Sequence, residues 1–334
     1  MTVVYPDALA AKLTAVSATT VEVTSIVPLS GGASSATFAV EAWRAGAAWP
    51  LIMQCNAAEA PVPGAMSKPT QAALQKVAAA HGLPVAAPIT AFVPEDQMGD
   101  GFVMERVAGE SLAPRYLRGA EYAAARAAMT VQCATALARL HAIPLAACAG
   151  LPLAGGSAQD LLARMFTGYR QFGRDLPVFD LAFAWLAERL PSAPARSLVH
   201  GDFRSGNFIV RAGEAPGLAA ILDWELAHLG DGLEDLGWLC VNAWRFGHWQ
   251  KPVGGFGERD ELYAAYAAAG GAAIDREALH MWEVLGTLRW GMACVQLVDD
   301  HLSGRVPSVE RAAIGRRISE TEIDLLYLFK TGSI

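Results

Sequence analysis

The chain has 334 residues, of which 53% are hydrophobic and 18% are charged, and its formal net charge is −7 at pH 7. A negative surface would repel the phosphates of nucleic acid, so nucleic-acid binding is not expected. The sequence lacks an apolar run near the ~18 residues of a membrane helix and lacks a basic cluster followed by an apolar block at residues 1–20, which argues against membrane insertion and a secretory leader. The five cysteines are odd in number and never spaced as Cys-x-x-Cys, which favours reduced thiols in a cytoplasmic protein over disulfides or a zinc site.

The first third of the sequence predicts a small β-rich unit. Runs of β-branched and aromatic residues predict strands at residues 21–29, 36–43, 49–55, 86–93 and 101–107. Between the third and fourth of these, Pro69 begins a predicted helix that ends before His81 and Gly82. Residues 56–68 contain two prolines and several small residues, and this composition predicts a mobile loop.

After Gly109 the pattern becomes mainly helical. Apolar residues recur at helical spacing in residues 121–141, 158–172, 178–190, 259–269, 276–302 and 309–329. A short β region at residues 197–224, with a turn at 213–217, interrupts these helices. The sequence therefore predicts an α+β protein with two lobes, residues 1–106 and 107–334, and a ligand-binding cleft between them.

The strongest chemical signal lies in the β region. His200-Gly201-Asp202 forms a predicted turn, Asn207 follows five residues after Asp202, and Asp223 stands at the end of the next strand. A carboxylate on a turn can deprotonate an attacking hydroxyl, and amide and carboxylate oxygens suit Mg²⁺. Each fragment alone is no more than a turn or a strand end, but their order on one hairpin favours the chemical interpretation.

Residues 200–207 and 223–236 resemble the aminoglycoside and choline phosphotransferase-like kinases, especially the branch also found fused to acyl-CoA dehydrogenases. The resemblance runs from residue 29 to about residue 290. It implies a protein-kinase-like fold with a small β-rich N-lobe, a larger helical C-lobe and a catalytic β-hairpin. It also implies transfer of the γ-phosphoryl group of ATP to the hydroxyl of a small molecule, with ATP and Mg²⁺ as cofactors.

The resemblance also implies residue roles. Asp202 would be the catalytic base, His200 and Arg204 would complete the catalytic set, and Asn207 and Asp223 would bind Mg²⁺. The nucleotide would be bound by Ser30, Gly31, Gly32, Ser34, Gln54, Glu105 and Val107. Asp231 and Asp235 would brace the catalytic loop. His141 and the tryptophans are interpreted mainly as packing residues.

The sequence departs from this family at the phosphate-binding cation. The family places the cation on the third strand and a glutamate on the following helix, whereas this chain has Gln54 and Gln71 there. The two amides can bond each other, and a basic residue such as Lys68 could offset the lost charge.

Three functions remain open. The first is an active kinase with a metabolite alcohol, such as a hydroxyacyl compound, as its acceptor. The second is a weakly active nucleotide-binding pseudokinase, motivated by Gln54 and Gln71. The third is an aminoglycoside-modifying kinase, for which a carboxylate-lined site could come from Glu258, Asp260, Glu261, Asp299 and Asp300. The acceptor, the choice between ATP and GTP, and the oligomeric state are not evident from the sequence.

Overall fold

An antiparallel sheet dominates the first hundred residues of the computed structural model, which describes residues 6–29, 35–56, 66–191 and 196–331. Its strands are β1 (Val21–Pro28), β2 (Ser35–Arg44), β3 (Ala47–Asn56), β4 (Pro88–Ala91) and β5 (Gly101–Glu105). Their spatial order is β1-β2-β3-β5-β4, and every neighbouring pair is antiparallel. The five predicted strands are confirmed, with boundaries shifted by a few residues.

Two helices accompany this sheet. Helix α1 (Pro6–Ser17), which the sequence analysis missed, buries Leu9 and Leu13 in the core beside the sheet. Helix α2 (Lys68–Ala80) begins after Ser67, whose hydroxyl accepts a hydrogen bond from the Thr70 amide. The predicted start near Pro69 and the predicted stop are both confirmed.

The rest of the chain is mainly helical. Its helices are α3 (Ala113–Arg118), α4 (Ala123–His141), α5 (Ala158–Gln171), α6 (Pro177–Ala187), α7 (Leu233–Cys240), α8 (Arg259–Ala268), α9 (Arg276–Leu302), α10 (Val309–Gly315) and α11 (Ile318–Thr331). The prediction of a single helix over residues 309–329 is wrong, because the helix is interrupted between α10 and α11. The break follows Gly315, where a Cβ atom would lie 2.4 Å from Cβ of Val298 on α9.

Four short strands carry the predicted chemical motifs. They are β6 (Ser197–Val199), β7 (Phe208–Arg211), β8 (Gly217–Ile221) and β9 (His228–Gly230). Strands β7 and β8 form the predicted hairpin, whereas β6 pairs with β9. This pairing places the turn after β6 beside the segment that joins β8 to β9.

The two parts of the chain meet at this hairpin. Val85, which precedes β4, bridges to Ile221, and Glu110, which follows β5, bridges to Val210. The core below the hairpin includes Leu74 of α2 and Met129 of α4. The α+β, protein-kinase-like class with a small β-rich N-lobe and a helical C-lobe is therefore confirmed.

Other expectations concerned cysteines and membrane spans. All five cysteines are buried and free of disulfide bonds. Across the described ranges, the helices are too short or too polar to cross a membrane.

Candidate active site

The turn that carries Asp202 is held by a buried carboxylate. Asp235 accepts hydrogen bonds from the backbone amides of His200 at 2.8 Å and Gly201 at 2.9 Å. Gly201 adopts a φ of +78°, and a Cβ atom there would lie 2.4 Å from the carbonyl oxygen of Leu226, so only glycine fits. Sequence and packing together fix the position from which Asp202 projects.

Asp235 is itself supported by a buried histidine. Nε2 of His141 lies 3.3 Å from Oδ2 of Asp235, and Nδ1 of His141 lies 2.9 Å from the Tyr266 hydroxyl. Burial alone would raise the pKa of Asp235, but the His141 hydrogen bond, the His141 and His200 rings and the backbone amide hold it below its ordinary value. Asp235 therefore braces the loop as expected, and His141 contributes to that brace in addition to packing.

Asp231 differs from this expectation. Its carboxylate accepts a hydrogen bond from the Leu233 amide at 2.9 Å, at the start of α7. It stabilises the helix start, and within the described ranges Asp235 alone of the two hydrogen-bonds the turn that carries Asp202.

Asp202 is nearly buried and has three side-chain donors. Oδ1 accepts from Nε of Arg204 at 2.9 Å and from Nε1 of Trp238 at 2.7 Å. Oδ2 accepts from Nδ2 of Asn207 at 2.5 Å. A carboxylate offers about four lone-pair sites, so these bonds orient the group and leave Oδ2 able to accept one more proton donor.

Trp238 is a site residue that sequence reasoning did not single out. The sequence analysis placed it among several core or wall tryptophans, whereas its indole N–H contacts Asp202 directly. Its ring also lies 4.0 Å from the guanidinium carbon of Arg289. The sequence has nine tryptophans. Which of them contacts Asp202 depends on how α7 packs against α9, and the sequence alone does not give that packing.

His200 and Arg204 lie on either side of Asp202. His200 is fully buried, and its Nδ1 accepts a hydrogen bond from the Asp202 amide at 3.2 Å. Burial lowers the pKa of His200, which keeps the ring neutral. Arg204 is partly exposed, and its guanidinium stacks on Trp244 at 4.2 Å. His200 thus supports the turn from within, while Arg204 stands at the surface of the site.

Asn207 and Asp223 meet across the hairpin. The Leu222 amide donates to the Asn207 carbonyl at 2.8 Å, next to the Phe208–Ile221 pair. Asp223 adopts a φ of +65°, which turns the chain away from β8. Both side chains line one cavity of about 470 Å³ between the lobes. The structure therefore brings Asp202, Asn207 and Asp223 together.

The carboxylate of Asp223 lies in the electrostatic field of neighbouring acids. Burial, with smaller contributions from the charges of Glu225 and Asp202, raises the pKa of Asp223 to about 7. Within the described part of the chain, no group of three or more His, Cys, Asp or Glu side chains is placed to hold a metal ion. Mg²⁺ needs only one or two protein ligands when phosphates supply the others. The carboxylate of Asp223 and the amide oxygen of Asn207 fit that requirement.

Three of the seven predicted nucleotide-binding residues line the same cavity. Gln54, Glu105 and Val107 line it, as does Ser35 at the start of β2. Ser30, Gly31, Gly32 and Ser34 lie outside the described residues. Arg106 also lines the cavity, and its guanidinium pairs with Glu41 at 2.7 Å.

The predicted bond between Gln54 and Gln71 is not formed. The Gln71 amide is occupied by other partners, since Nε2 donates to the Met66 carbonyl at 2.8 Å and Oε1 lies 3.4 Å from Nζ of Lys68. Lys68 is the first residue of α2 and is 2% exposed, which corrects its predicted placement in a loop. Residues 57–65 of that predicted loop lie outside the described ranges.

A second cavity, of about 600 Å³, lies on the other side of the segment after Asp223. Its lining includes His228, Asp231, Glu234, Trp282, Arg164 and Arg289. Arg289 donates to the Gly201 carbonyl and pairs with Glu234 at 2.8 Å. Because Gly201 precedes Asp202, Arg289 links this cavity to the turn that carries Asp202.

The two-lobed fold is that of the kinase-like phosphotransferases. The model of the phosphotransferase enzyme family matches residues 25–282, and the chain belongs to this family.

Similar proteins include longer proteins related in sequence and solved structures that share the fold. Acyl-CoA dehydrogenase family member 11 of Mus musculus is 30% identical over 186 residues, which is 54% of this chain and 23% of that protein. The chain thus spans about a quarter of the length of that relative.

Solved structures share the fold over nearly the whole chain. A protein of Ralstonia eutropha JMP134, provisionally named an aminoglycoside phosphotransferase, has a TM-score of 0.76 at 22% identity and covers 97% of this chain and 98% of its own. The GDP complex of aminoglycoside 2'-phosphotransferase-IIIa has a TM-score of 0.63 at 13% identity, covering 90% and 93%. Identities this low establish the fold and leave the acceptor open.

Proposed function

We propose that this protein transfers the γ-phosphoryl group of ATP to a hydroxyl of a small molecule. The observation that carries the proposal is the convergence of three oxygen-bearing side chains, those of Asp202, Asn207 and Asp223, at the hairpin below an interlobe cavity. The division at residues 106 and 107 and a cytoplasmic location are part of the same proposal.

The chemical step follows from the surroundings of Asp202. An acceptor hydroxyl at Oδ2 would give its proton to the carboxylate while its oxygen forms a bond to the γ-phosphorus. The bond between that phosphorus and the bridging oxygen of ATP breaks, and ADP leaves with the electron pair. Arg204 and Trp238 occupy Oδ1, so Oδ2, which is held by Asn207, is the oxygen proposed to take the proton.

The cofactors of this proposal are ATP and Mg²⁺. Glu105 and Val107 would bind adenine through their main chain, and Gln54 would face the phosphates. Mg²⁺, when bound by Asn207 and Asp223, neutralises phosphate charge. Nucleotide use is supported by the GDP complex of a structurally similar phosphotransferase.

The acceptor would enter the second cavity. Arg289 connects that cavity to Gly201, and its lining mixes basic, acidic and aromatic side chains. This lining favours a hydroxylated compound that also carries polar or anionic groups.

A polycationic antibiotic is less well supported. Of the carboxylates considered for such a site, Glu258 pairs with Lys251, Asp260 with Arg276, Asp299 with Arg174, and Asp300 with Arg305 and Arg311. These four acids are balanced by basic side chains, and none of the five, Glu261 included, lines either cavity described above.

The test is a two-stage assay. Thermal shift with ATP, GTP and ADP, each with and without Mg²⁺, identifies the nucleotide. Transfer from labelled ATP is then measured across a panel of small alcohols, including hydroxy acids and aminoglycosides. Mg²⁺-dependent transfer to at least one alcohol is expected. Nucleotide binding without transfer to any acceptor would favour the pseudokinase alternative.

A further inference from the structure

The side chain of Lys68 is a buried cation at the first turn of α2. It is 2% exposed, whereas lysine is almost never fully buried unless it is paired. A buried ammonium without partners would be costly, so its neighbours indicate what it is built to bind.

Those neighbours connect Lys68 to the nucleotide cavity. Nζ lies 2.5 Å from the hydroxyl of Ser35, which lines that cavity, and 3.4 Å from Oε1 of Gln71. It also lies 3.8 Å from the carboxylate of Glu225, two residues after Asp223. Lys68 therefore stands behind Ser35 at the Asp223 end of the cavity.

The cavity itself offers little positive charge to a bound phosphate, so the position of Lys68 beside it matters. Among the described residues that line the cavity, the one basic side chain is Arg106, and it turns outward to pair with Glu41. Gln54 of β3 is neutral. A triphosphate bound between Ser35 and Asp223 would meet the Asp223 carboxylate. Two cations lie near it in the described ranges, and Arg204 is already paired with Asp202 at 2.9 Å, which leaves Lys68 to offset the phosphate charge.

We infer that Lys68 is the phosphate-binding lysine of this protein, supplied by α2 in place of β3. This inference rests on the proposed use of ATP. Gln71 orients the ammonium through its carbonyl oxygen, and Glu225 balances its charge when nucleotide is absent. The flexible four-carbon stem lets Nζ move from Ser35 to a phosphate oxygen. On this inference, the phosphate-binding cation lies on α2 and no longer on β3. Gln54 and Gln71 follow from that change and do not mark a lost activity.

The experiment compares binding of adenosine, AMP, ADP and ATP, each with Mg²⁺, by calorimetry. Lys68→Met is expected to weaken ATP and ADP binding about tenfold or more, while adenosine binding is unchanged. Lys68→Gln, which keeps a polar group beside Ser35, gives the same selective loss if the Met variant folds poorly. Lys76→Met, an exposed lysine on the same helix, is the matched control and should bind all four ligands as the wild type does.

A relocation variant tests the position directly. Gln54→Lys combined with Lys68→Met should restore the preference for ATP over adenosine. Equal weakening of adenosine and ATP, or unchanged ATP binding, in the Lys68 variants would overturn the inference and leave Lys68 as a structural partner of Glu225. If the wild type binds ATP no better than adenosine, the proposed function fails and this inference fails with it.

Discussion

The amide nitrogen of Asn207 donates to Oδ2 of Asp202 over 2.5 Å, which couples the residue proposed to bind Mg²⁺ to the proposed base. An amide offers a donor to one neighbour and an acceptor to another, and aspartate cannot do both when ionised. Asn207 can therefore hold Asp202 with its nitrogen while its oxygen faces the cavity.

Asn207→Asp is expected to place two carboxylates in contact. Like charges this close cannot both ionise freely, so the variant should be less stable at pH 8 than at pH 5, relative to the wild type. Thermal unfolding at the two pH values measures this. The Asn207→Asp variant should also lose phosphoryl transfer at temperatures where it is folded.

The matched control for that variant is Asn242→Asp. Asn242 donates to Asp324 at 3.0 Å, far along the chain from the hairpin. It should show the same pH-dependent instability and keep its activity while folded. Equal loss of activity in both variants would mean that the Asn207 effect is one of stability alone.

Trp238→Phe is expected to slow transfer about tenfold, because it removes one hydrogen bond to Asp202 and keeps an aromatic ring over Arg289. The KM for ATP should not change. Steady-state kinetics check both quantities. Trp244→Phe is the control, since the indole nitrogen of Trp244 is buried without a hydrogen-bond acceptor in the described ranges. Identical kinetics for the two variants would refute the positioning role.

Asp235→Asn is expected to destabilise the protein by roughly 2 to 4 kcal/mol, since the amide group would face backbone donors in a buried site. The pKa of Asp235 lies below its ordinary value of 3.8, so the ionised group stabilises the fold above that pH. The stabilisation is lost as pH falls through the folded-state pKa.

Urea unfolding of wild type and Asp235→Asn measures the difference. It should be constant from pH 8 to about pH 5 and should shrink in more acidic solution. Asp231→Asn keeps a side-chain oxygen that can accept from the Leu233 amide, so this variant should have a smaller effect. A difference that grew with acidity would contradict the assignment.

Asp223→Asn is expected to stabilise the metal-free protein at pH 8 and to matter less at pH 5. The folded-state pKa of Asp223 is about 7, against an ordinary value of 3.8, so the ionisation of Asp223 costs stability as pH rises between these values. Asparagine fits the left-handed backbone at this position. Thermal scans in a chelator at both pH values check the sign. The variant should gain less stability than the wild type from Mg²⁺ and ATP together.

Much of the fold is evident from local sequence. Helix α9 has the predicted bounds of residues 276–302, and α2 begins and ends at its predicted proline and glycine signals. Helix α7 was missed because its segment is short and contains Gly237. That glycine lets α7 approach Trp282 of α9 closely, since a Cβ atom there would meet the Trp282 backbone at 2.8 Å. Such contacts between distant segments leave no local pattern.

The candidate site is likewise only partly evident from the sequence. Asp202, Asn207 and Asp223 lie in one hairpin and the turn before it, so their order along the chain predicts their proximity. Trp238 reaches Asp202 from 36 residues away, and Lys68 reaches Ser35 from 33 residues away. Their contacts depend on how α7 and α2 pack, and only the structure gives that.

The central claim is that Asp202 is the base for phosphoryl transfer, and single-turnover transfer from labelled ATP tests it most directly. Asp202→Asn should still bind Mg²⁺ and ATP but transfer phosphate at least about a hundredfold more slowly than the wild type. Asp260→Asn, at an exposed carboxylate paired with Arg276, should match the wild type. An Asp202→Asn rate within about twofold of the wild-type rate would contradict the account.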